Sequence, residues 1–302
     1  MNADRSRFAA RDYPALFLQA DNASSTAQKK YLRLTKATLA LLVAGAALAA
    51  VTPALRSCKP ASAIISAVLL AASVLLTTRL QVLKPEQLWY GGRAVAESAK
   101  SMAWRYMAGA DPYSCDSPAS ATDRTFISTL ESIFKERKQL AFSFGGVFRE
   151  QPHITERMRA VRSGSLPERR SAYLAERIAD QRRWYGDQAK RNRSAEGKYF
   201  NLIVISQFLA FAAAVALVKW PDSDFKLTGL FTCLASALIA WVQLKQHKEL
   251  AQSYSIAEVE LGFIQEQGQH ITTDREFSDF VGDAENAISR EHTLWIARRD
   301  KI

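Results

Sequence analysis

Hydroxyl and amide side chains occur within long apolar stretches of this sequence, where polar groups are unusual. Groups of this kind can hydrogen-bond to a neighbouring helix, or they can solvate water and ions along a path through a membrane. The residues are Ser62, Ser66, Ser73 and Thr77 in one stretch, Gln207 in another, and Thr228, Thr232, Ser236 and Gln243 in a third. Helix packing and a water-lined path both remain open interpretations.

Helical spacing arranges these residues in stripes. At about 100° per residue, Ser62, Ser66, Ser73 and Thr77 fall within about 60° of one another, and the residues of the later stretch do nearly the same. A shift of 166 positions places Ser62 on Thr228, Ser66 on Thr232 and Thr77 on Gln243. We therefore take all of these polar residues, together with Gln207, as candidate pore-lining residues.

The motifs of common enzyme classes are missing from the sequence. It has no G-x-x-x-x-G-K-[ST] phosphate loop, no G-x-S-x-G nucleophile elbow and no H-E-x-x-H pair. Its 4 histidines are scattered, and its 3 cysteines, Cys58, Cys115 and Cys233, fit no metal-binding spacing. We therefore predict no catalytic residues, no cofactor, no metal site and no enzymatic activity.

The sequence has four charge-free stretches, each long enough to cross a bilayer, and the stripes lie in the second and the fourth. A helix of about 20 mostly apolar residues spans the hydrocarbon core, where the backbone must satisfy its own hydrogen bonds. The stretches are Ala37–Leu55, Ala61–Thr78, Phe200–Val218 and Leu227–Leu244. Short loops join them in two pairs, which predicts two transmembrane hairpins. Gly45 and Ala49 form a small-xxx-small pair suited to close crossing with the second span.

Basic residues flank the hairpins and predict their orientation. The chain carries a formal net charge of +10, and Lys and Arg collect before the first and third spans and after the second and fourth. Cytoplasmic flanks are enriched in Lys and Arg, so both termini are predicted to be cytoplasmic. The same residues would attract anionic lipid headgroups. We expect the lipid bilayer, and no nucleic acid, as the partner of this basic charge.

Outside the spans the sequence has helical periodicity and an internal duplication. Three sets of residues repeat at steps of three and four, which predicts the seams of a helical bundle or coiled coil. They are Leu88, Gly92, Val95, Ala99, Met102 and Tyr106; Leu250, Tyr254, Ala257, Leu261 and Ile264; and Phe277, Val281, Ala284, Ile288 and Trp295. Two segments agree, Thr122–Phe126 and Thr273–Phe277, and the second has the capping-box spacing of Thr273 and Glu276.

We predict an all-α membrane protein with four transmembrane helices as two hairpins and long cytoplasmic helices that pack together. The first unit covers residues 1–145, with helices 86–107 and 123–138 after its spans. A linker follows at 146–166. The second unit covers 167–302, with helices 167–199 and 245–299 around its spans. Breaks are expected at Ala108–Ser120, Ser143–Gly146 and Ser163–Leu166.

Several segments outside the spans carry a family resemblance. They are Tyr13–Phe17, Trp89–Ser98, the residues Tyr173, Arg177, Asp180, Gln181, Trp184 and Tyr185, and the ending Glu285–His292 with Trp295. Trp89–Ser98 resembles the stretch after the hairpin of the SLATT family of bacterial two-TM effector domains, and Tyr13–Phe17 resembles the lead-in of one of its subtypes. The residues from Tyr173 onward resemble a second subtype, so the chain resembles two SLATT subtypes in tandem. These residues specify a family and name no reaction.

The resemblance implies a pore- or channel-forming effector of antiviral defence in the bacterial inner membrane. Four spans are too few for one subunit to enclose a wide pore, so we expect a homo-oligomer that associates through the cytoplasmic seams. The resemblance also implies triggering by a nucleotide-synthase or nucleotide-sensor partner. An alternative is a membrane-anchored scaffold or sensor that binds a soluble partner through its cytoplasmic helices. Oligomer number, ion selectivity and the activating signal are not encoded in any motif of the sequence.

Overall fold

The structure, a computed structural model, describes residues 8–138 and 150–299, with side chains for all of them except residue 56 and residues 290–299. The helices are α1 Ala15–Val51, α2 Lys59–Leu83, α3 Pro85–Ala108, α4 Ala119–Lys135, α5 Glu156–Arg162, α6 Leu166–Ala172, α7 Ala179–Lys219, α8 Leu227–Lys245, α9 His247–Gln267 and α10 Asp274–Arg299. A π-helix, Tyr173–Ile178, joins α6 to α7. No strand occurs in the described part of the chain.

Four of these helices are long and apolar enough to cross a membrane, which confirms the predicted fold class. The predicted spans lie in α1, α2, α7 and α8, although α1 ends at Val51 and a 3-10 turn, Thr52–Ala54, follows it. In the most apolar windows of the four helices, 17, 17, 6 and 6 % of the residues are buried inside the protein. Segments this apolar and this exposed require lipid around them, so the chain is a multi-pass membrane protein.

Two of the predicted extramembrane helices have different bounds in the structure. The helix expected at 123–138 is α4, which begins at Ala119, directly after Pro118. Thr122 is therefore buried within the helix and does not cap it, so the two similar segments are not equivalent helix starts. The helical segment expected at 245–299 contains α9 and α10, with α10 beginning at the predicted cap, and Gln246, with a left-handed φ of 51°, ends α8. The break predicted at Ser143–Gly146 lies outside the described residues.

The capping box predicted at the start of α10 is present. The Glu276 backbone N–H donates to Thr273 Oγ1 at 3.3 Å, and the Thr273 N–H donates to Glu276 Oε2 at 3.1 Å. The Glu276 carboxylate accepts hydrogen bonds from the backbone N–H of Thr272 and from Thr273, and these bonds lower the pKa of Glu276. Each partner thus satisfies a backbone donor that the helix leaves free.

Replacing Thr273 with alanine should remove this cap and cost about 1 kcal/mol of stability. The loss should appear as faster amide hydrogen exchange in the first turn of α10. Thr125→Ala is the matched control, because the Thr125 hydroxyl donates back to Ala121 O within α4 and caps nothing. Equal exchange in the first turn of α10 in Thr273→Ala and in the unchanged protein would contradict the assignment.

The chain forms two compact units, and each contains parts of both sequence halves. One comprises residues 1–28, 86–188 and 253–302, and we call it the core unit. The other comprises residues 29–85 and 189–252, contains all four spans, and is called the span unit.

The core unit is built around the predicted seams. Their buried members are Gly92, Val95, Ala99, Tyr106, Ala257, Leu261, Phe277, Val281, Ala284 and Ile288. The side chain of Trp295 lies outside those described. Among the aromatic residues of this core, Trp104 Nε1 donates to the Tyr13 hydroxyl at 3.0 Å, and its ring lies 5.8 Å from that of Tyr173. The periodicity therefore identified residues that bury one another within a single chain.

A buried ion pair joins the π-helix to α10 inside the core unit. Arg177 donates through Nε to Glu285 Oε1 at 2.9 Å and through Nη2 to Oε2 at 2.7 Å, and the Tyr173 hydroxyl donates to Oε1 at 3.0 Å. The Arg177 and Glu285 side chains are 1 % and 0 % exposed. Burial alone would lower the pKa of Arg177, but Glu285 holds that pKa above its ordinary value. The guanidinium therefore stays charged in the core.

The span unit contains a close crossing between α1 and α2. Ser66 Oγ donates to the Gly45 carbonyl at 2.9 Å, and a Cβ added to Gly45 would lie 2.9 Å from Leu70 Cδ2. Gly45 therefore has the close-approach role predicted from its small-xxx-small spacing, whereas Ala49 is exposed. A backbone bond from Lys226 N to Ala50 O, at 3.0 Å, ties the loop of the second hairpin to the end of α1.

Candidate functional site: polar residues of the span unit

The serines of α2 are buried within the span unit. Ser66 bonds across to α1, whereas Ser62 and Ser73 donate to carbonyls of their own helix, Lys59 O at 3.0 Å and Leu70 O at 2.7 Å. Such hydroxyls are satisfied without water and let helices approach closely. The arrangement in this single chain is that of packing residues. Thr77, one turn beyond Ser73, is exposed and donates to Ser73 O at 3.0 Å.

The polar residues of α8 lie at the surface of the span unit instead. Thr232, Ser236 and Gln243 are exposed, and Thr232 Oγ1 donates to Thr228 O at 2.9 Å. Thr228 is half-buried, and its own Oγ1 has no hydrogen-bond partner within the described part of the chain. Ser66 and Thr232, which the sequence shift aligns, thus have opposite environments.

Gln207 lies apart from both groups, exposed on α7. One turn away on either side are the exposed side chains of Val204 and Phe211. Its neighbour Ser206 is buried and donates to Leu202 O at 2.7 Å. The structure therefore does not gather the candidate residues into one site within a single chain.

Sequence reasoning missed a polar contact at the start of α9. His247 Nδ1 lies 2.8 Å from Asn192 Oδ1, and the imidazole stacks on the Tyr199 ring with centroids 5.7 Å apart. Burial and then the nearby Lys245 lower the pKa of His247. No motif links these residues, which are separated by up to 55 positions.

Within the described residues, no group of three His, Cys, Asp or Glu side chains is placed to hold a metal ion. The cysteines Cys58, Cys115 and Cys233 are free. Two of the open grooves lie among the described residues of the core unit. One, of about 330 Å³, is bordered by Arg170, Leu174 and Gln265, and the other, of about 600 Å³, by Arg124, Ile127 and Arg159. Neither has the enclosed apolar walls typical of a small-molecule site.

Two successive parts of the chain match known domains. Residues 14–170 match SMODS and SLOG-associating 2TM effector domain 3, and residues 173–295 match SMODS and SLOG-associating 2TM effector domain 1. The chain belongs to the SLATT family. The first match contains α1 and α2, and the second contains α7 and α8, so each has the two spans that its description names.

SLATT membership, with two subtypes in tandem, identifies the chain as a membrane effector of defence systems. SLATT domains are not known as catalytic domains. Neither a curated protein nor a solved structure matches the chain.

Proposed function

We propose that this SLATT protein is a homo-oligomeric pore or channel of the bacterial inner membrane that permeabilises the membrane when activated. The proposal has both termini in the cytoplasm, where a nucleotide-synthase or nucleotide-sensor protein provides the trigger. The proposal includes no catalysis and no nucleic-acid partner. It is carried by one observation: of the four charge-free spans, the fourth exposes Thr232, Ser236 and Gln243, where lipid contact alone would favour aliphatic side chains.

The proposal includes oligomerisation because one chain has too few membrane-spanning helices to enclose a wide pore. A helix with its side chains is about 10 Å across, so four helices in contact enclose no wide aqueous path. The seam residues of the core unit are already buried within the chain and cannot associate with other copies without rearrangement. Surfaces of the span unit are therefore the better candidates for association.

The direct test is release of a dye or of ions from liposomes that contain the purified full-length chain. Leakage should begin when the activated partner protein is added, and it should be absent from liposomes that receive the partner alone. Intact liposomes under every trigger, with correctly inserted protein, would remove the pore function.

Replacing Thr232 with leucine should lower this leakage severalfold, because an exposed hydroxyl is exchanged for an aliphatic group on the proposed path. Val68→Leu is the matched control, since Val68 is exposed on α2 and stays apolar. Ser66→Leu is a poorer test, because it disturbs the bond to Gly45 as well. Unchanged leakage in Thr232→Leu with normal insertion would exclude Thr232 from the path.

A second candidate function, a membrane-anchored scaffold or sensor, is favoured by one surface of the core unit. Ile256, Val259 and Phe263 of α9 are 60, 57 and 63 % exposed, and their spacing places them on one helix face. Large apolar side chains exposed together are typical of protein-binding surfaces. A stable complex with the nucleotide-synthase or sensor protein that Phe263→Ser disrupts, without any leakage, would favour this function.

A further inference from the structure

One side of α9 is apolar and exposed within the core unit. Ile256, Val259 and Phe263 are exposed there, and we call these three residues the α9 face. At about 100° per residue they lie within about 60° of one another, and their steps of three and four are those at which helices pack together. The opposite side of α9 is already covered, because Ala257 and Leu261 are buried in the core.

The helix that follows the first hairpin, α3, has no such face. Its exposed residues are Gln87 and Ser98, and both are polar. The large side chains of α3, such as Trp89 and Met107, are buried. The exposed apolar side chains are therefore particular to α9, and such a group is typical of a surface that binds another protein.

Carboxylates border the α9 face on both sides. Glu260 lies about 40° around the helix from Ile256, and Glu266 lies about 20° beyond Val259 in the other direction. Both glutamates are exposed, and neither has an ion pair within the described part of the chain. The α9 face is thus an apolar strip between two negative charges.

The basic residues of the chain do not neutralise this border. The sequence has no Lys or Arg between Lys248 and Arg275, and this stretch includes the α9 face. Arg182 of α7 lies beside α9, but it donates to Gln265 Oε1 at 3.3 Å, on the side of the helix away from the α9 face. A counter-charge for the two glutamates must therefore come from another molecule.

The negative border selects among the possible occupants of the α9 face. Anionic lipid headgroups would be repelled by the carboxylates. A second copy of this chain would bring the same two carboxylates to the contact without a counter-charge. A helix with apolar residues at steps of three and four, and with Lys or Arg beside them, would cover the apolar strip and pair with both carboxylates.

We propose that the α9 face docks a basic amphipathic helix of the soluble protein that activates this chain. The apolar residues of that helix cover Ile256, Val259 and Phe263, and its Lys or Arg side chains pair with Glu260 and Glu266. This inference rests on the proposed function, which includes an activating partner, but docking can be tested apart from leakage.

The test uses the full chain in phosphatidylcholine nanodiscs, with two synthetic helical peptides of equal length as probes. Both peptides carry leucine at steps of three and four, with lysine at the flanking positions of one and glutamate at those of the other. Binding is measured by fluorescence anisotropy, and the signal from empty nanodiscs is subtracted. The variants are Phe263→Ser and the double variant Glu260→Lys with Glu266→Lys. Their controls, Ile127→Ser and Glu131→Lys, change exposed residues of α4 in the same unit.

The lysine peptide should bind, and the glutamate peptide should bind about tenfold more weakly or not at all. Phe263→Ser should weaken binding of the lysine peptide about tenfold, because a central apolar side chain is lost. The double variant should prefer the glutamate peptide, a reversal that a loss of folding could not produce. Both controls should bind like the unchanged protein. Equal binding of the two peptides, or a preference that the double variant does not reverse, would overturn the inference.

Two further measurements show whether another occupant covers the α9 face. A smaller oligomer in Phe263→Ser, measured by light scattering, would assign the face to a second copy. Quenching by brominated lipid of a fluorophore at Ile256→Cys, in the chain with Cys58, Cys115 and Cys233 replaced, would assign it to the bilayer. Either result would overturn the inference.

Leakage from liposomes separates this inference from the pore. Selective peptide binding with intact liposomes under every trigger would support the docking surface and overturn the pore. Leakage without selective peptide binding would overturn the docking surface and leave the pore standing. No binding and no leakage would overturn both.

Discussion

Glu285→Gln should destabilise the core unit by about 3 kcal/mol, because it leaves the buried guanidinium of Arg177 without a counter-charge. The glutamine is close to isosteric, so the loss reports charge rather than volume. Arg177 cannot avoid the cost by losing its proton, since the guanidinium remains charged at accessible pH. Urea unfolding of the purified chain in detergent, followed by tryptophan fluorescence, should show a lower midpoint.

Two controls make this result specific. Glu131→Gln removes a carboxylate from an exposed pair with Lys135 on α4 and should leave the midpoint unchanged. The double variant Arg177→Met with Glu285→Leu removes both charges and should be more stable than Glu285→Gln alone, since no unpaired charge remains. A midpoint for Glu285→Gln equal to that of the unchanged protein would mean that the pair does not stabilise the core.

Gly45→Ile should separate α1 from α2 and cost about 3 kcal/mol, because overpacking at a close helix crossing forces side chains and backbone apart. A Cβ at this position already lies 2.9 Å from Leu70 Cδ2, and the larger side chain would also weaken the bond from Ser66 to the Gly45 carbonyl. Unfolding in mixed micelles with increasing sodium dodecyl sulfate should occur at a lower detergent fraction.

Ala44→Ile is the matched control for the helix crossing. Ala44 precedes Gly45 in α1 and is exposed, so the same side chain should be accommodated there with little change. Equal sensitivity of the two variants to the denaturing detergent would show that the crossing is looser than the structure places it.

The elements whose residues recur at a regular spacing were predictable from the sequence. The four spans, the seam residues such as Val95 and Leu261, and the Thr273–Glu276 cap all depend on local spacing, and the structure contains each of them. Helix bounds were less predictable. α4 begins at Ala119, with Pro118 as its N-cap, which is earlier than the similar Thr-Asp-Arg-Thr-Phe segment suggested.

The sequence predicted which residues the candidate site would contain, but it did not predict how they are arranged. The sequence shift gave Ser66 and Thr232 equal status, yet the first is buried against Gly45 and the second is exposed. Which face of a span is covered depends on how the helices of the two hairpins pack, and helical spacing carries no information on that. The Arg177–Glu285 pair was likewise unforeseen, because its members are 108 residues apart.

The core unit contains residues from both domain matches, and this has a consequence for how the two subtypes occur together. Arg105 from the first domain match donates to Asn286 from the second at 2.8 Å, and Trp104 lies beside Tyr173 across the same divide. The residues of this core come from both domain matches, so the two subtypes form one folded unit. Because both lie on a single chain, any assembly of this chain contains the two subtypes in a one-to-one ratio.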